Sequence, residues 1–217
     1  MAYKKNVKEL ILRIIMLFVG LTVAHLGVTL FLLADLGSDP FNVFIQGIFR
    51  NLQLIVDWSW LTHGRTHMAV SFLIILILLI VDRSYIKIGT ILCMFCGGPI
   101  IDFFTMLLQP LFTDGLSLFV LVPVNALGCV ILALGMTIVI QSEAGTGPND
   151  LVAVVIADKS KKKFGIVRII VDVCWALIGF LLGGTIGIGT IICAFVVGPV
   201  AGVFLPYSKK LVDRVVA

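Results

Sequence analysis

Residues 116–140 run for 25 positions without a charged side chain, and five other stretches approach the same pattern. About 20 mostly apolar residues is the length at which a helix crosses the ~30 Å hydrocarbon core of a bilayer. No water reaches the backbone inside that layer, so each span must satisfy its own N–H and C=O groups, as a helix does. The composition agrees: 60% hydrophobic residues, 13% charged residues and a mean hydropathy of +1.16 are far from those of a soluble domain. The expected fold is an all-α membrane protein with six transmembrane helices at about 10–33, 66–82, 88–108, 116–140, 164–182 and 188–206. The first apolar segment is too long for a signal peptide and lacks its small-residue cleavage pattern, so it is expected to remain as a span, with the mature chain starting near Met1.

The basic residues orient these spans. Lys4, Lys5 and Lys8 precede the first span, and Arg83 and Lys87 separate the second from the third. Lys159, Lys161, Lys162 and Lys163 precede the fifth, and Lys209, Lys210 and Arg214 follow the sixth, whereas the connections 109–115 and 183–187 hold no Lys or Arg. Under the positive-inside rule, six spans with both termini in the cytoplasm place all these clusters on the cytoplasmic side. Only Arg50 and Arg65, in the long 34–65 connection, then lie outside.

The chain also repeats itself. "IKIGTILCMFCGGPIIDFF" (86–104) aligns without gaps to "IGIGTIICAFVVGPVAGVF" (186–204), with 10 of 19 positions identical. "ADLGSDPFNV" (34–43) and "SEAGTGPNDL" (142–151) share an acid, a Gly two residues later and a Pro three residues after that. The offset of 108 between these phrases also pairs Gly20 with Gly128 and Gly27 with Gly135. Two copies follow, 1–108 with a short helix at 40–53 and 109–217 with a short helix at 148–157. Each copy has three spans, an odd number, so the second enters the membrane from the opposite face. That is an inverted-topology repeat, the plan of many secondary transporters.

Each polar phrase opens a short helix. Pro40 suits the first helical position, with Asp39 as its N-cap, and Asn42, Gln46, Arg50 and Gln53 fall on one face. Pro148 opens a helix too short to cross the bilayer, with Asn149 and Asp150 in its first turn. Both short helices are either re-entrant or interfacial: they lie as elbows at the interface, or they point their N-termini into the protein and line a path. Asp35, Asp39, Glu143 and Asp150 crowd these N-termini with negative charge, which favours a cationic or neutral polar solute over an anion.

Ionisable residues within spans mark function or pairing. Asp172 lies in the fifth span with Arg168 one turn earlier on the same face, as an ion pair or as a proton or substrate contact. Asp102 lies in the third span and has no counterpart in the second copy, where Gly202 stands, which reads as specialised work. Gly98–Pro99 and Gly198–Pro199 are equivalent breaks in equivalent helices, either paired hinges or fixed bends. His63 and His67 show an HxxxH spacing in the outer connection, with no nearby Cys or acid to complete a metal site. His25 falls in the outer half of the first span. The five cysteines sit in apolar runs as small hydrophobes, and Cys93 and Cys96 form a CxxC placed for packing rather than redox or metal chemistry.

No P-loop, nucleophile elbow or soluble domain is present, so no enzyme activity, cofactor or metal is expected. The leading expectation is a small secondary transporter or exporter. Its path would be lined by Asn42, Gln46, Asn149, Asp150, Asp102 and Asp172, with Arg168 and Glu143 at its margins. The alternative is an integral binding or accessory subunit of a larger transport complex, and a simple channel comes third. The expected partners are the lipid bilayer and a small-molecule or ion substrate, with a homodimer left open and no nucleic acid.

The phrases "LLADLGSDPFNV", "GTGPNDLVAVVIADK" and "IGIGTIICAFVVGP" resemble the YczE/YitT-like family of small bacterial membrane proteins, where similar phrases recur in the same order. The resemblance covers nearly the whole chain. It implies a bacterial plasma-membrane protein of five or six spans, of the kind described as permeases or as having no assigned function. Asp39 and Asn42 depart from the family phrase, which tends to have Gly and Asp there.

Overall fold

The computed structural model describes residues 2–55, 60–112, 115–162 and 164–216, and the side chains of residues 2–6, 164, 165, 168 and 194 lie outside that description. Among the described residues the secondary structure is helical throughout. Eight α-helices follow in order: α1 (Ala2–Ala34), α2 (Pro40–Ile55), α3 (His63–Asp82), α4 (Ile88–Leu108), α5 (Leu118–Ser142), α6 (Pro148–Ser160), α7 (Phe164–Leu181) and α8 (Ile188–Val216). Five of them, α1, α3, α4, α5 and α8, are long and apolar enough to cross a membrane, while the apolar run of α7 is Ile169–Leu181. Their large apolar side chains are widely exposed, Phe119 at 93% and Ile80 at 88%, as helices facing lipid require.

The centre is a crossing of α1 with α5. A Cβ added to Gly20 would stand 2.8 Å from the carbonyl oxygen of Gly135, and one added to Gly27 would stand 2.6 Å from that of Gly128. The pairs descend on one helix as they ascend on the other, so α1 and α5 run antiparallel. Bare glycines let the two backbones touch, which is how helices pack without a hydrophobic drive between them. α4 closes on α1 around Leu17, Leu21 and Cys93, and α8 closes on α5 around Phe31, Cys129 and Cys193.

Each polar phrase crosses to the other half. Asp35 and Gly37 have positive φ angles of 45° and 103°, and Glu143 and Gly145 repeat this at 56° and 149°. The turn they make sends the chain back from the helix end, as a left-handed C-terminal cap does. The carbonyl of Leu36 then accepts the N–H of Gly189 at 2.7 Å, and that of Ala144 accepts the N–H of Gly89 at 3.0 Å. Each phrase therefore satisfies a free N–H at the start of the last long helix of the opposite half.

The short helices enter the protein N-terminus first. In α2, Phe41, Asn42, Val43, Ile45, Gln46 and Gly47 are buried, while Leu54 and Ile55 at its other end are 87% and 78% exposed. In α6, Pro148, Leu151, Ala153, Val155 and Ala157 are buried and Asp158 to Ser160 are exposed. Phe41 and Ile45 of α2, Ile74 and Leu78 of α3, and Leu151 and Val155 of α6 make one cluster.

Two boundaries are corrected. α3 begins at His63, three residues before the expected start, because Thr62 caps it by accepting the N–H of Arg65 at 3.1 Å. His63 and His67 therefore belong to a helix and not to an outer connection. α8 runs to Val216, ten residues past the expected end, and carries Lys209, Lys210 and Arg214 on its last turns.

Candidate functional site: a buried polar cluster beneath α2

All three histidines of the chain meet where α1, α2, α3 and α4 converge. The rings of His25 and His67 are edge to face with centroids 5.7 Å apart, and Phe41 stacks edge-on against His67 at 5.4 Å. Room for them comes from Gly97 of α4, where a Cβ would stand 2.9 Å from Nε2 of His25. Nδ1 of His25 donates to the carbonyl of Leu21 at 2.8 Å, which turns its second nitrogen toward His67 and Gly97.

A hydrogen-bonded chain lies beside these rings. Nε2 of His63 donates to Oδ1 of Asn42 at 3.1 Å, and Nδ2 of Asn42 donates to Oδ2 of Asp39 at 2.8 Å. Asp39 also accepts the N–H of Asn42 at 3.3 Å, as the expected N-cap of α2. Nδ1 of His67 and Oγ of Ser71, one turn apart on α3, are buried without a hydrogen-bond partner among the described residues, as is Nε1 of Trp175 on α7. Phe41 touches both the His67 and the Trp175 ring. A buried polar group left unbonded costs about 1–3 kcal/mol, so these three atoms are the unsatisfied polar groups beside the hydrogen-bonded chain.

The other expected site residues have distinct places. Gln46 is buried and its Oε1 accepts the N–H of Thr185 at 2.7 Å, locking α2 to the turn before α8. Asp102 is half-buried and caps α3, its two oxygens accepting from Thr62 Oγ1 at 2.6 Å and from the N–H of Gly64 at 3.0 Å. Glu143 is at the surface, 68% exposed, with Oε2 2.9 Å from Nη1 of Arg13. Asp35 matches it in the first half, 3.3 Å from Nη2 of Arg50. Asn149 and Asp150 are half-buried in the first turn of α6. Asp172 is half-buried on α7 and engaged with neighbours, and the side chain of its expected partner Arg168 lies outside the described residues.

The two Gly–Pro sites differ sharply. Gly98 is buried, and a Cβ there would collide with the carbonyl of Gly64, so α3 and α4 are in backbone contact. Gly198 and Gly202 are exposed, with no heavy atom of the described residues within 4 Å of an added Cβ. Pro99 and Pro199 both lie inside continuous helices and are exposed.

Sequence reasoning missed the histidine cluster. His63 and His67 stood out by their spacing, but no signal tied them to His25, which is 38 residues before His63. No group of three or more His, Cys, Asp or Glu among the described residues has the geometry to hold a metal ion.

The sequence pattern described as "Family of unknown function (DUF6198)" matches residues 11–206. The uncharacterized membrane protein YczE of Bacillus subtilis (strain 168) is 30% identical over 97% of this chain and 93% of its own length. An uncharacterized protein of Haemophilus influenzae is 28% identical over 91% of this chain and 84% of its own length. The uncharacterized protein YyaS of Bacillus subtilis is 24% identical over 88% of this chain and 92% of its own length. No solved structure matches. With its apolar helices and these relatives, the chain is an all-helical membrane protein and belongs to the DUF6198 family, the YczE-like group that its polar phrases resemble.

Proposed function

We propose that the protein is a small secondary transporter of the bacterial plasma membrane that moves a small cationic or neutral polar solute by alternating access. Its halves, 1–108 and 109–217, form an inverted repeat of six spans, α7 being the sixth, with both termini in the cytoplasm. The antiparallel crossing of equivalent glycines on α1 and α5 supports this plan, as does the reciprocal docking of the two polar phrases. The observation that carries the transport reading is the inequality of two equivalent seams. Gly98 of α4 is shut against Gly64 of α3, while Gly198 and Gly202, at the matching positions of α8, have no heavy atom of the described residues within 4 Å of an added Cβ. Two copies of one unit held in two arrangements is what a rocking inverted repeat requires.

The solute site is the cluster beneath α2, where His63, Asn42 and Asp39 are already bonded to one another and His67, Ser71 and Trp175 retain bonding capacity. His67→Phe tests it. Phenylalanine keeps the edge-on ring contacts and removes a buried nitrogen that has no partner, a change that is neutral or stabilising for the fold. Thermal stability in detergent is expected to hold or rise, while solute flux in proteoliposomes is lost. Flux at the wild-type rate would remove His67 from the site. Purified protein alone in liposomes, screened for gradient-coupled solute flux, separates transport from the accessory-subunit reading, for which solute binding without flux is the expected result.

The topology has its own check. Asp114, the natural outer marker in the sequence, lies outside the described residues, so Gln109 in the same connection serves. Single cysteines at Gln109 and Lys161, both exposed, in a cysteine-free background are expected to react with an impermeant maleimide from opposite faces of the membrane. Reaction from the same face overturns the inverted repeat.

A further inference from the structure

We propose that the groove between α6 and α7 is a binding site for one anionic phospholipid, its acyl chain in the groove and its phosphate on Lys162 and Lys161. The groove has a volume of about 460 Å³, with walls that include Val152 and Ile156 of α6 and Ile170, Cys174 and Ile178 of α7. The two helices are joined by the short lysine-rich connection, so the groove runs from Ile178 and Val152 toward Ser160 and Lys162, which line its end. An apolar trough that ends in a cation has the polarity of an amphiphile with an anionic head, and basic pockets of this kind between membrane helices suit acidic headgroups.

The charges around the mouth sharpen the assignment. Lys159 is held by Asp82, with Nζ 3.3 Å from Oδ2, and Asp158 accepts the hydroxyl of Tyr85 at 2.6 Å. Asp82 and Asp158 are therefore already bonded. Lys161 has a left-handed φ of 54° and takes the N–H contacts that end α6, to the carbonyls of Ala157 and Asp158. That turn carries the chain directly to Lys162 at the groove's end, and both lysines are exposed. A general membrane-surface anchor needs positive charge only, whereas here the charge stands at the end of a shaped apolar channel. Trp175 stands between this groove and the histidine cluster, lining the first and touching Phe41 of the second, and the proposal is tested by lipid retention rather than by flux.

The test uses full-length protein stripped to neutral detergent and native mass spectrometry with added phosphatidylglycerol, phosphatidylcholine or inorganic phosphate. One phosphatidylglycerol is expected to be retained in preference to phosphatidylcholine. Lys161→Gln with Lys162→Gln is expected to reduce that retention by about 25-fold, at roughly fivefold per lysine near an anionic head. Cys174→Trp, which fills the exposed wall of the groove, is expected to abolish retention while leaving thermal stability unchanged. Equal retention of the two lipids, or unchanged retention in both variants, overturns the proposal. Stabilisation by inorganic phosphate as large as by phosphatidylglycerol also overturns it, because it would show a headgroup site without the acyl groove.

Discussion

Valine at Gly98 is expected to leave little folded protein, whereas valine at Gly198 is expected to leave the fold intact and stop transport. At Gly98 the added carbons would occupy the space of the Gly64 carbonyl, and backbone cannot move aside as a flexible side chain does. Separating α3 from α4 also pulls Asp102 from the N-terminus of α3, so the loss is expected to exceed about 4 kcal/mol, the severe end of single substitutions. At Gly198 nothing among the described residues stands within 4 Å of the new carbon, and the change in stability is expected to stay within about 0.5 kcal/mol. Yet if α7 must close on α8 as α3 closes on α4, valine there blocks the second arrangement. Yield and thermal unfolding in detergent measure the first effect and proteoliposome flux the second. A Gly198→Val protein that transports at the wild-type rate would sink the rocking mechanism. A cysteine pair at Gly165 and Gly198 gives the converse test, because Gly165 is the second residue of α7 as Gly64 is of α3. A disulfide needs Cα atoms within about 7 Å, so it forms only in the closed arrangement, and flux is expected to stop on oxidation and return on reduction.

Asp102→Ala is expected to destabilise the protein by about 2–4 kcal/mol, because two donors, Thr62 Oγ1 and the N–H of Gly64, lose their acceptor at once. Asp102→Asn keeps one carbonyl oxygen and is expected to recover roughly half. A double-mutant cycle with Thr62→Val is expected to show about 1–2 kcal/mol of coupling, since the two side chains share a bond of 2.6 Å. The residue's isolation in the apolar third span suggested an ionisable group at work on solute or protons. For that role Asp102→Asn would keep full stability and alter only flux, so chemical denaturation of the three variants decides between cap and carrier.

Much of the architecture was legible in the residues alone. Long uncharged runs such as 116–140 had to become helices, because lipid leaves the backbone no other partner. The repeated phrases adopt the same turn, since Asp35 and Gly37 in one and Glu143 and Gly145 in the other all have positive φ. The N-cap of α2 at Asp39 and its start at Pro40 were equally local. What remained hidden was every choice made between distant segments. Gly20, Gly27, Gly128 and Gly135 could be paired as equivalents, but their crosswise contact required α1 and α5 to meet. His25 joined His67 only because Gly97 of a third helix left space for both rings. Asp102 became a cap only when Gly64 was pressed against Gly98, and the same Gly–Pro phrase in the second half meets none of the described residues. Hydrophobic period and turn chemistry act over a few residues and are written in the chain. Which of two identical local units is closed depends on contacts dozens of residues apart, and only the packed structure decides it.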